Sequence, residues 1–324
     1  MGAPRDVVAH FGAVQAQDYL GALWGVGLRT ENAVESDVER ALAQRKLVRT
    51  WPLRGTLHLV TAEDVHWMLD FLAPRIVQRH TARLQREHQL DDKAVRRCRA
   101  VLERTLGGGK RLTREEIYAA LEQRGIDARD QRGLQILWRL AHDGVICFGP
   151  RDGKQQTFVL LDEWVPPAPN PLTGDDALVE LTRRYFNSHA PATAADFAWW
   201  SGLTIAEAKR GVELAEIVDG EGRVESASST HLLPAFDEYT VAYKDRSAIG
   251  HNVLDPAIVI DGLVVGTWKR VLHRGEVEIT ISHFRPLTPK EQRALTEAAD
   301  RYARFLGVTA RPLALVPAEP PPVE

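Results

Sequence analysis

The chain has 324 residues, of which 44% are hydrophobic and 26% are charged, and its formal net charge is −3. This composition is ordinary for a soluble globular protein of about two to four domains, and the chain shows neither a long apolar run nor a leader-peptide pattern that would indicate a membrane or secreted protein. The two cysteines, Cys98 and Cys147, lack the spacing of a zinc finger or a disulfide framework, so we expect a cytoplasmic protein without a metal or other cofactor.

The charge is unevenly distributed along the chain. Residues 75–114 hold 12 Lys and Arg against 4 Asp and Glu, whereas the rest of the chain holds 29 basic and 40 acidic residues. A local basic excess matters more than the net charge when the partner is a polyanion. The distribution therefore indicates a nucleic-acid partner that the net charge alone would not suggest.

Near the start, Gln15 and Gln17 stand two residues apart in VQAQDYLGALWG, just before an apolar helical pattern. Ser, Thr, Asp or Asn caps a helix better than Gln does, and Asp18 can take that position. The spacing alone leaves open whether the two glutamines merely introduce the helix or act on a ligand.

A helix followed by a hairpin then recurs along the chain. In the first copy, Ser36 and Glu39 are expected to form a capping box for a helix with an apolar face. Two β-rich runs follow, on either side of the turn Arg54-Gly55.

The second copy has the same order with a second helix before the hairpin. Thr113 and Glu116 are expected to cap its first helix, and Asp152-Gly153 predicts a hairpin turn between residues 145–148 and 157–161. The run Gly107-Gly108-Gly109 has no Lys-Ser or Lys-Thr after it, so it is not a phosphate-binding loop.

A proline-rich linker, 165–174, separates the second copy from the third. In the third copy, Ser201-Gly202-Leu203 is expected to separate two short helices, and Thr204 and Glu207 cap the second of them. A small Gly-rich hairpin is predicted for residues 216–226.

From about residue 230 the sequence predicts β-structure, in HLLPAFDEYTVAY, PAIVIDGLVVGTWKR and GEVEITISHF. Asp261-Gly262 and Arg274-Gly275 are expected to form tight turns between strands. A closing helix, capped by Thr288 and Glu291, precedes a proline-rich tail that we expect to be disordered.

Helix, turn, helix and a two-stranded hairpin together form the winged-helix plan, so the predicted fold class is α+β, with tandem winged-helix (helix-turn-helix) domains before a C-terminal β-rich domain. A generic α+β protein is the alternative. The expected segments are a first winged-helix unit (1–92), a second (93–165), a proline-rich linker (166–174), a third unit (175–229), a β-rich domain with its closing helix (230–315) and a disordered tail (316–324).

Three groups of residues are candidates for DNA contact. The segment PRIVQRHTARLQREH predicts one helix face of arginines that matches a row of phosphates, although a solvated face is the alternative. The first hairpin carries cations and an aromatic side chain that could enter a groove or stack on a base, unless they belong to the core. The C-terminal hairpin could form a further DNA-facing wedge. The residues are Arg75, Arg79, Arg83 and Arg86 on the helix, Arg49, Trp51, Arg54 and His58 on the first hairpin, and Lys269, Arg270, His273 and Arg274 on the last.

Three carboxylates in FDEYTVAYKDRS, those of Asp237, Glu238 and Asp245, could supply a general base. Ion-pairing or turn-forming roles are the more frequent explanation for such residues. His142 and His189 have no partner at a metal-binding spacing, so we expect them to be structural.

Three strings, VQAQDYLGALWGVGLR, LVRTWPLRGTLHLVTAEDVHW and LLPAFDEYTVAYKDRS, resemble the AlkZ/YcaQ-type DNA glycosylases. That family consists of tandem winged-helix proteins that excise N7-alkylated guanines and unhook certain interstrand crosslinks. The resemblance runs in order from about Arg5 to Gly307. The family usually has an opening helical segment before the stretch that begins here near Arg5, so either the chain as given begins late or it lacks an element that packs against the first domain.

The resemblance implies a catalytic motif of Gln, any residue, then Gln or Asp, which places the two roles on Gln15 and Gln17. An N7-alkylguanine already carries a positive charge and leaves as a neutral base without a general acid. The amides would then hold a water near the anomeric carbon and stabilise an oxocarbenium-like sugar. We therefore expect a monofunctional glycosylase with low activity on unmodified or neutral bases.

The expected partner is double-stranded DNA that carries alkylated purines, and we expect a monomer associated with the nucleoid. A role in DNA repair or in self-resistance to a genotoxin follows from this interpretation. The alternative is a non-catalytic winged-helix DNA-binding protein, such as a transcriptional regulator. The Gln-Ala-Gln motif favours the enzyme.

Overall fold

A computed structural model describes residues 1–218 and 229–320, and the chain forms two compact units. Unit 1 comprises Met1–Glu39 and Thr182–Glu324, and unit 2 comprises Arg40–Leu181. The predicted first segment, 1–92, is thus divided between the two units. The β-rich C-terminal segment shares unit 1 with the first 39 residues.

Helices account for 48% of the protein and strands for 20%, which confirms the α+β class. The helices, in chain order, are α1 (Pro4–Phe11), α2 (Tyr19–Gly27), α3 (Glu35–Ala43), α4 (Val65–His88), α5 (Asp92–Leu106), α6 (Arg114–Glu122), α7 (Asp130–His142), α8 (Leu161–Trp164), α9 (Gly174–His189), α10 (Ala194–Ser201), α11 (Ile205–Leu214), α12 (Glu238–Val241) and α13 (Pro289–Leu306), with a 3-10 turn at Ser247–Ile249.

The strands, in chain order, are β1 (Val14–Gln15), β2 (Leu47–Leu53), β3 (Thr56–Thr61), β4 (Leu112–Thr113), β5 (Ile146–Asp152), β6 (Gln155–Leu160), β7 (Thr230–Leu232), β8 (Ala257–Ile260), β9 (Leu263–His273), β10 (Glu276–His283), β11 (Thr309–Ala310) and β12 (Ala314–Pro317). In unit 2 the antiparallel order is β3-β2-β5-β6-β4. In unit 1 the order is β11-β10-β9-β8-β7, and β12 also pairs with β10.

Most local predictions of caps and turns are confirmed. Reciprocal capping boxes join Thr113 to Glu116, Thr204 to Glu207 and Thr288 to Glu291. The residues of the turns Arg54-Gly55 and Asp261-Gly262 all have positive φ, as tight hairpin turns require. The hairpin near Asp152-Gly153 is also present, but Asp152 pairs with Gln155, so the turn lies one residue later than predicted.

The predicted cap of α3 is wrong. The helix begins at Glu35, so Ser36 lies inside its first turn, and the Val34 N–H donates to the Asp37 carboxylate at 3.0 Å. The Glu39 carboxylate instead accepts the Tyr19 hydroxyl at 2.8 Å. The Asp37 carboxylate, in the first turn, accepts a backbone N–H at the start of the helix as the predicted Ser36 hydroxyl would have done.

The strand expected across FDEYTVAY is also wrong, because Glu238–Val241 forms the short helix α12. Asp237 drives this change, since its carboxylate accepts the Tyr239 N–H at 3.0 Å and caps the helix. The tail expected to be disordered from residue 316 begins inside β12, which pairs with β10. The hairpin predicted for residues 216–226 lies largely outside the described residues.

The core of unit 1 joins its first residues to its last helix. The Trp24 ring on α2 contacts Tyr302 and Phe305 on α13, with ring centroids 5.0 and 5.1 Å apart. Gly27 allows this approach, because a Cβ there would lie 2.2 Å from the Phe305 ring. The Trp24 indole also donates to the Leu232 carbonyl of β7 at 2.7 Å, which ties α2 to the sheet.

Unit 2 has its own apolar core between α4, α5, α6, α7 and the sheet. Its buried members include Trp51, Leu84, Leu102, Ile117 and Leu137. Both cysteines are buried here as free thiols, and burial raises the pKa of each of them. Within residues 1–218 and 229–320, no helix is long and apolar enough to cross a membrane, and no cluster of His, Cys, Asp or Glu is placed to hold a metal ion.

Candidate active site

The Gln15-Ala16-Gln17 motif lies on and just after the short strand β1 of unit 1. Gly12 ends α1 with φ of 76°, a left-handed value that glycine adopts without strain, and the chain then turns into extended structure. Side chains alternate along extended backbone, so residues two apart lie on the same face. Val14 and Ala16 are buried as anchors, which leaves the two glutamines together on the other face.

The two glutamine side chains bind each other in a fixed orientation. The Gln17 backbone N–H donates to the Gln15 side chain at 3.0 Å, and a backbone N–H can only donate, so the accepting atom is Oε1 of Gln15. Its Nε2 therefore faces Gln17 as the donor, and it binds Oε1 of Gln17 at 2.5 Å. Gln15 is 7% exposed, whereas Gln17 is exposed, so the pair has one buried and one accessible member.

A buried carboxylate lies behind the motif. Oε1 of Glu238 accepts the backbone N–H of Gln15 at 2.7 Å, and Oε2 accepts the Trp200 indole N–H at 3.0 Å. Nε2 of His189 lies 3.7 Å from Oε2 of Glu238, and its ring stacks on Tyr185 at 4.6 Å. The Glu238 carboxylate therefore contacts the motif through the Gln15 backbone and lies among buried aromatic side chains.

Asp237 and Asp245, two of the general-base candidates, are engaged in structural contacts. Asp237 forms a two-point ion pair with Arg29 at 2.7 and 2.9 Å in addition to capping α12. Burial disfavours the charged form of Arg29, but the charge and hydrogen bonds of Asp237 outweigh it and raise the pKa of the guanidinium. The exposed Asp245 accepts the Ser247 N–H, which lowers the pKa of its carboxyl group.

Known proteins resemble this chain over nearly its whole length. A model of the DNA glycosylase AlkZ-like family matches residues 8–305. The chain belongs to this family. The AlkZ/YcaQ-type resemblance is thereby confirmed, and with it the expectation of an enzyme of the DNA glycosylase class.

A curated relative and a solved structure that match this AlkZ-like chain are both from Streptomyces sahachiroi. An interstrand DNA cross-link repair glycosylase is 28% identical over 360 aligned positions, which cover 96% of this chain and 93% of that protein. The solved structure of the DNA glycosylase AlkZ superposes with a TM-score of 0.69 at 23% identity, over 98% of this chain and 94% of that one. The second similarity shows that the two chains share a fold.

On this AlkZ-like chain, the predicted arginine row lies on α4 as expected. Arg79, Arg83 and Arg86 are exposed, and Arg86 pairs with Glu87 at 2.9 Å. Arg75 is half-buried and lies over the Phe71 ring at 5.4 Å. Arg79, Arg83 and Arg86 are therefore accessible at the surface, whereas Arg75 packs against its own helix.

The first hairpin, β2–β3, directs three of its four candidate residues inward. Trp51 belongs to the core of unit 2 and is 7% exposed, which favours the core alternative for this residue. Arg49 is also buried, with its guanidinium 4.6 Å from the Phe148 ring and bound to Gln156. His58 is buried with Nδ1 at 2.9 Å from the Thr56 carbonyl, and Arg54 occupies the turn.

The last hairpin, β9–β10, directs three of its four candidate residues outward. Lys269, His273 and Arg274 are exposed, and His273 lies 3.2 Å from the Glu278 carboxylate. Arg270 is half-buried, 5.5 Å from the Tyr302 ring, so it packs on the core of unit 1.

Two features of unit 1 have no counterpart among the sequence predictions. Val271 and Leu272 are 55% and 53% exposed near the tip of β9–β10, where the sequence predicts only cations as DNA contacts. The sequence indicates Glu238 as a general-base candidate and not as a partner of Gln15, although it lies within one of the strings that carry the family resemblance. Its separation of 223 residues from Gln15 leaves no local signal of their contact.

Proposed function

We propose that the protein hydrolyses the N-glycosidic bond of cationic N7-alkylpurines in double-stranded DNA and leaves an abasic site. The observation that carries this proposal is the oriented amide pair, with Gln15 buried and Gln17 exposed. Its family, DNA glycosylase AlkZ-like, supplies the reaction class.

The chemistry suits neutral catalytic groups. A purine alkylated at N7 carries a positive charge and departs as a neutral base, so the site does not need to protonate it. The remaining tasks are to hold a water against the anomeric carbon and to stabilise an oxocarbenium-like sugar. Amide oxygens perform both when their orientation is fixed in advance, because they accept from water and direct partial negative charge at the cation.

The two glutamines have unequal roles in this proposal. Gln15 must accept from the Gln17 N–H and donate to the Gln17 side chain at once, which an amide does and a carboxylate does not at neutral pH. Gln17 needs only an acceptor toward Gln15, so an aspartate could serve there as well. This asymmetry gives a physical reason for the family pattern of Gln at the first position and Gln or Asp at the second.

We further propose that DNA is held by a tandem winged-helix scaffold. Helices α6 and α7 with the hairpin β5–β6 follow that plan within unit 2, and α10 and α11 are separated by the turn at Gly202. Exposed Arg79, Arg83 and Arg86 on α4 are suited to phosphates, and the tip of β9–β10 to a groove or a disrupted base step. The name of the Streptomyces relative supports interstrand crosslinks as further substrates. We propose a monomer that acts at the nucleoid.

The test is base release from a duplex that carries one N7-methylguanine, with enzyme in excess and alkaline cleavage of abasic sites as readout. Q17A should lower the single-turnover rate by about 100-fold while DNA binding is retained. Q17E should retain more activity than Q15E. In Q15E a carboxylate oxygen replaces the Nε2 donor and faces Oε1 of Gln17, whereas in Q17E the Gln15 Nε2 still finds an acceptor. Q292A, which changes an exposed glutamine of the same unit, is the matched control.

Three kinds of outcome would overturn the proposal or part of it. No release by the wild-type protein on a duplex that it binds would leave the alternative, a non-catalytic DNA-binding protein. Equal rates for Q17A and Q292A would move catalysis away from the motif. Strand cleavage before alkali, or a borohydride-trapped covalent adduct, would contradict the monofunctional reaction.

A further inference from the structure

Glu238 is a buried carboxylate whose two oxygens each accept a different neutral N–H group. Oε1 accepts from the Gln15 backbone at 2.7 Å, and Oε2 accepts from the Trp200 indole at 3.0 Å, while the side chain is 3% exposed. Removing a carboxylate from water is costly unless its oxygens are hydrogen-bonded. The position is therefore built for two acceptors, and one of its two donors belongs to the catalytic motif.

The helix that carries Glu238 is itself firmly held. Asp237, the preceding residue, caps α12 and forms the two-point pair with Arg29. Tyr239, the following residue, donates its hydroxyl to the Gly262 carbonyl at 2.7 Å. The carboxylate of Glu238 is thus fixed from both sides along the chain.

We infer that Glu238 is a positioning residue for the Gln15-Ala16-Gln17 motif, and this inference rests on the proposed function. A continuous set of hydrogen bonds runs from Oε1 of Glu238 to the Gln15 backbone, and from the Gln15 side chain to the exposed amide of Gln17. Only Gln15 of the motif belongs to a strand, the two-residue β1, and Ala16 and Gln17 follow it. Glu238 sets where Gln15 lies, and Gln15 sets the orientation of Gln17.

The inference makes a specific chemical demand on residue 238. E238Q keeps the size of the side chain but replaces one acceptor oxygen by an NH₂ group. That NH₂ group must then face either the Gln15 N–H or the Trp200 N–H. In either orientation it meets a second donor, and one hydrogen bond is lost. W200F removes the indole N–H, so the NH₂ group of the E238Q side chain can turn to that side and the motif recovers its acceptor.

Amide hydrogen exchange of Gln15 tests the inference independently of activity. E238Q should speed exchange of the Gln15 N–H by about tenfold or more, and E238Q/W200F should restore part of the protection. D196N is the matched control, because Asp196 is a buried carboxylate of unit 1 whose oxygens accept from Thr193 and from the Lys244 N–H. Unchanged Gln15 exchange in E238Q, or the same increase in D196N, would overturn the inference.

Base release provides the second readout. E238Q should lower the single-turnover rate on the N7-methylguanine duplex by about 10- to 100-fold with DNA binding retained, since a small misplacement of a catalytic group costs about that much. E238Q/W200F should be faster than E238Q alone, whereas a merely structural role would make the double variant slower. If E238Q does not fold, the double variant, in which the amide no longer faces the Trp200 N–H, must still show a protected Gln15 N–H, and an unprotected one would overturn the inference. If the wild-type protein releases no base, the proposed function fails, and the exchange data still decide the role of Glu238.

Discussion

The β2–β3 and β9–β10 hairpins carry similar side chains in the sequence, yet the structure uses them in opposite ways. In β2–β3, Arg49 and Trp51 are buried. In β9–β10, Lys269 and Arg274 are exposed, beside an apolar tip at Leu272. Cations and large apolar residues on a hairpin therefore do not by themselves indicate a surface that contacts DNA.

The pairing of the strands explains the difference. β2 pairs with β3 on one side and with β5 on the other, and helices α4 and α7 pack against it. The pairing of β8 with β9 ends at Thr267, so the distal part of β9 is paired with β10 beyond the edge of β8. A central strand buries most of what it carries, whereas the end of a hairpin that extends past its neighbour exposes more of its side chains. We expect the two hairpins to respond to mutation in different ways.

The largest expected effect is on the stability of unit 2. W51A removes a large ring from the core around Phe148, which lies 5.1 Å away, and should lower the free energy of unfolding by about 3–5 kcal/mol. L272A, at an exposed position, should change it by less than about 0.5 kcal/mol. Urea denaturation of both variants measures this contrast. A stable W51A protein that has lost DNA binding would instead make the first hairpin a DNA contact.

The second effect concerns a buried polar group in the same unit. His142 lies against Trp138 at 3.9 Å, and burial lowers the pKa of its imidazole from 6.5 to about 4. Between these values the unfolded chain binds a proton that the folded protein does not, so stability is full above about pH 6.5 and falls toward pH 4. At pH 5 the loss from this group should be about 2 kcal/mol.

The control for this pH dependence is H142F, which keeps a ring against Trp138 and removes the titrating group. Its stability should fall less steeply between pH 7 and pH 5 than that of the wild-type protein, even if it starts lower for want of the hydrogen bond to the Trp138 carbonyl. Parallel pH profiles for the two proteins would show that His142 does not contribute.

The third effect is on the outward hairpin. Replacing both Val271 and Leu272 by Ser should leave the free energy of unfolding nearly unchanged, because both side chains are more than half exposed. Base release from the lesion duplex should fall by about tenfold if the tip inserts between base pairs, where an apolar wedge offsets the cost of unstacking. L254S, at a residue 53% exposed in the same unit, is the matched control and should be active. A tip variant as active as L254S would exclude the wedge.

The sequence predicted the parts of this comparison that depend on neighbouring residues. The turns at Gly55 and Gly262 and the boxes at Thr113 and Thr204 are set by a few adjacent side chains, and they are confirmed. The direction in which a hairpin faces depends on which strand lies beside it, and that strand can be a hundred residues away, as β5 is from β2.

The candidate site divides in the same way. The family motif identified Gln15 and Gln17, and their spacing of two residues is that of side chains on one face of an extended chain. Their unequal exposure and the hydrogen bond from Gln15 to Glu238 depend on tertiary contacts that no spacing encodes. The short helix at Glu238 was missed because Asp237, its cap, stood in a run that resembles a strand.

The smallest effect is on the salt dependence of DNA binding, and it separates the two hairpins directly. A side chain that contacts a phosphate releases about one counterion, so K269A, R274A, R79A and R83A should each reduce the slope of log K against log salt by about one. R49A should leave that slope unchanged, because its guanidinium lies over the Phe148 ring, and it should lower stability instead. Binding to an unmodified duplex between low and moderate salt measures the slopes, with no dependence on catalysis. A reduced slope for R49A, or an unchanged slope for K269A and R274A, would contradict the assignment of β2–β3 as the inward and β9–β10 as the outward hairpin. An unchanged slope for R79A and R83A would exclude phosphate contacts by α4.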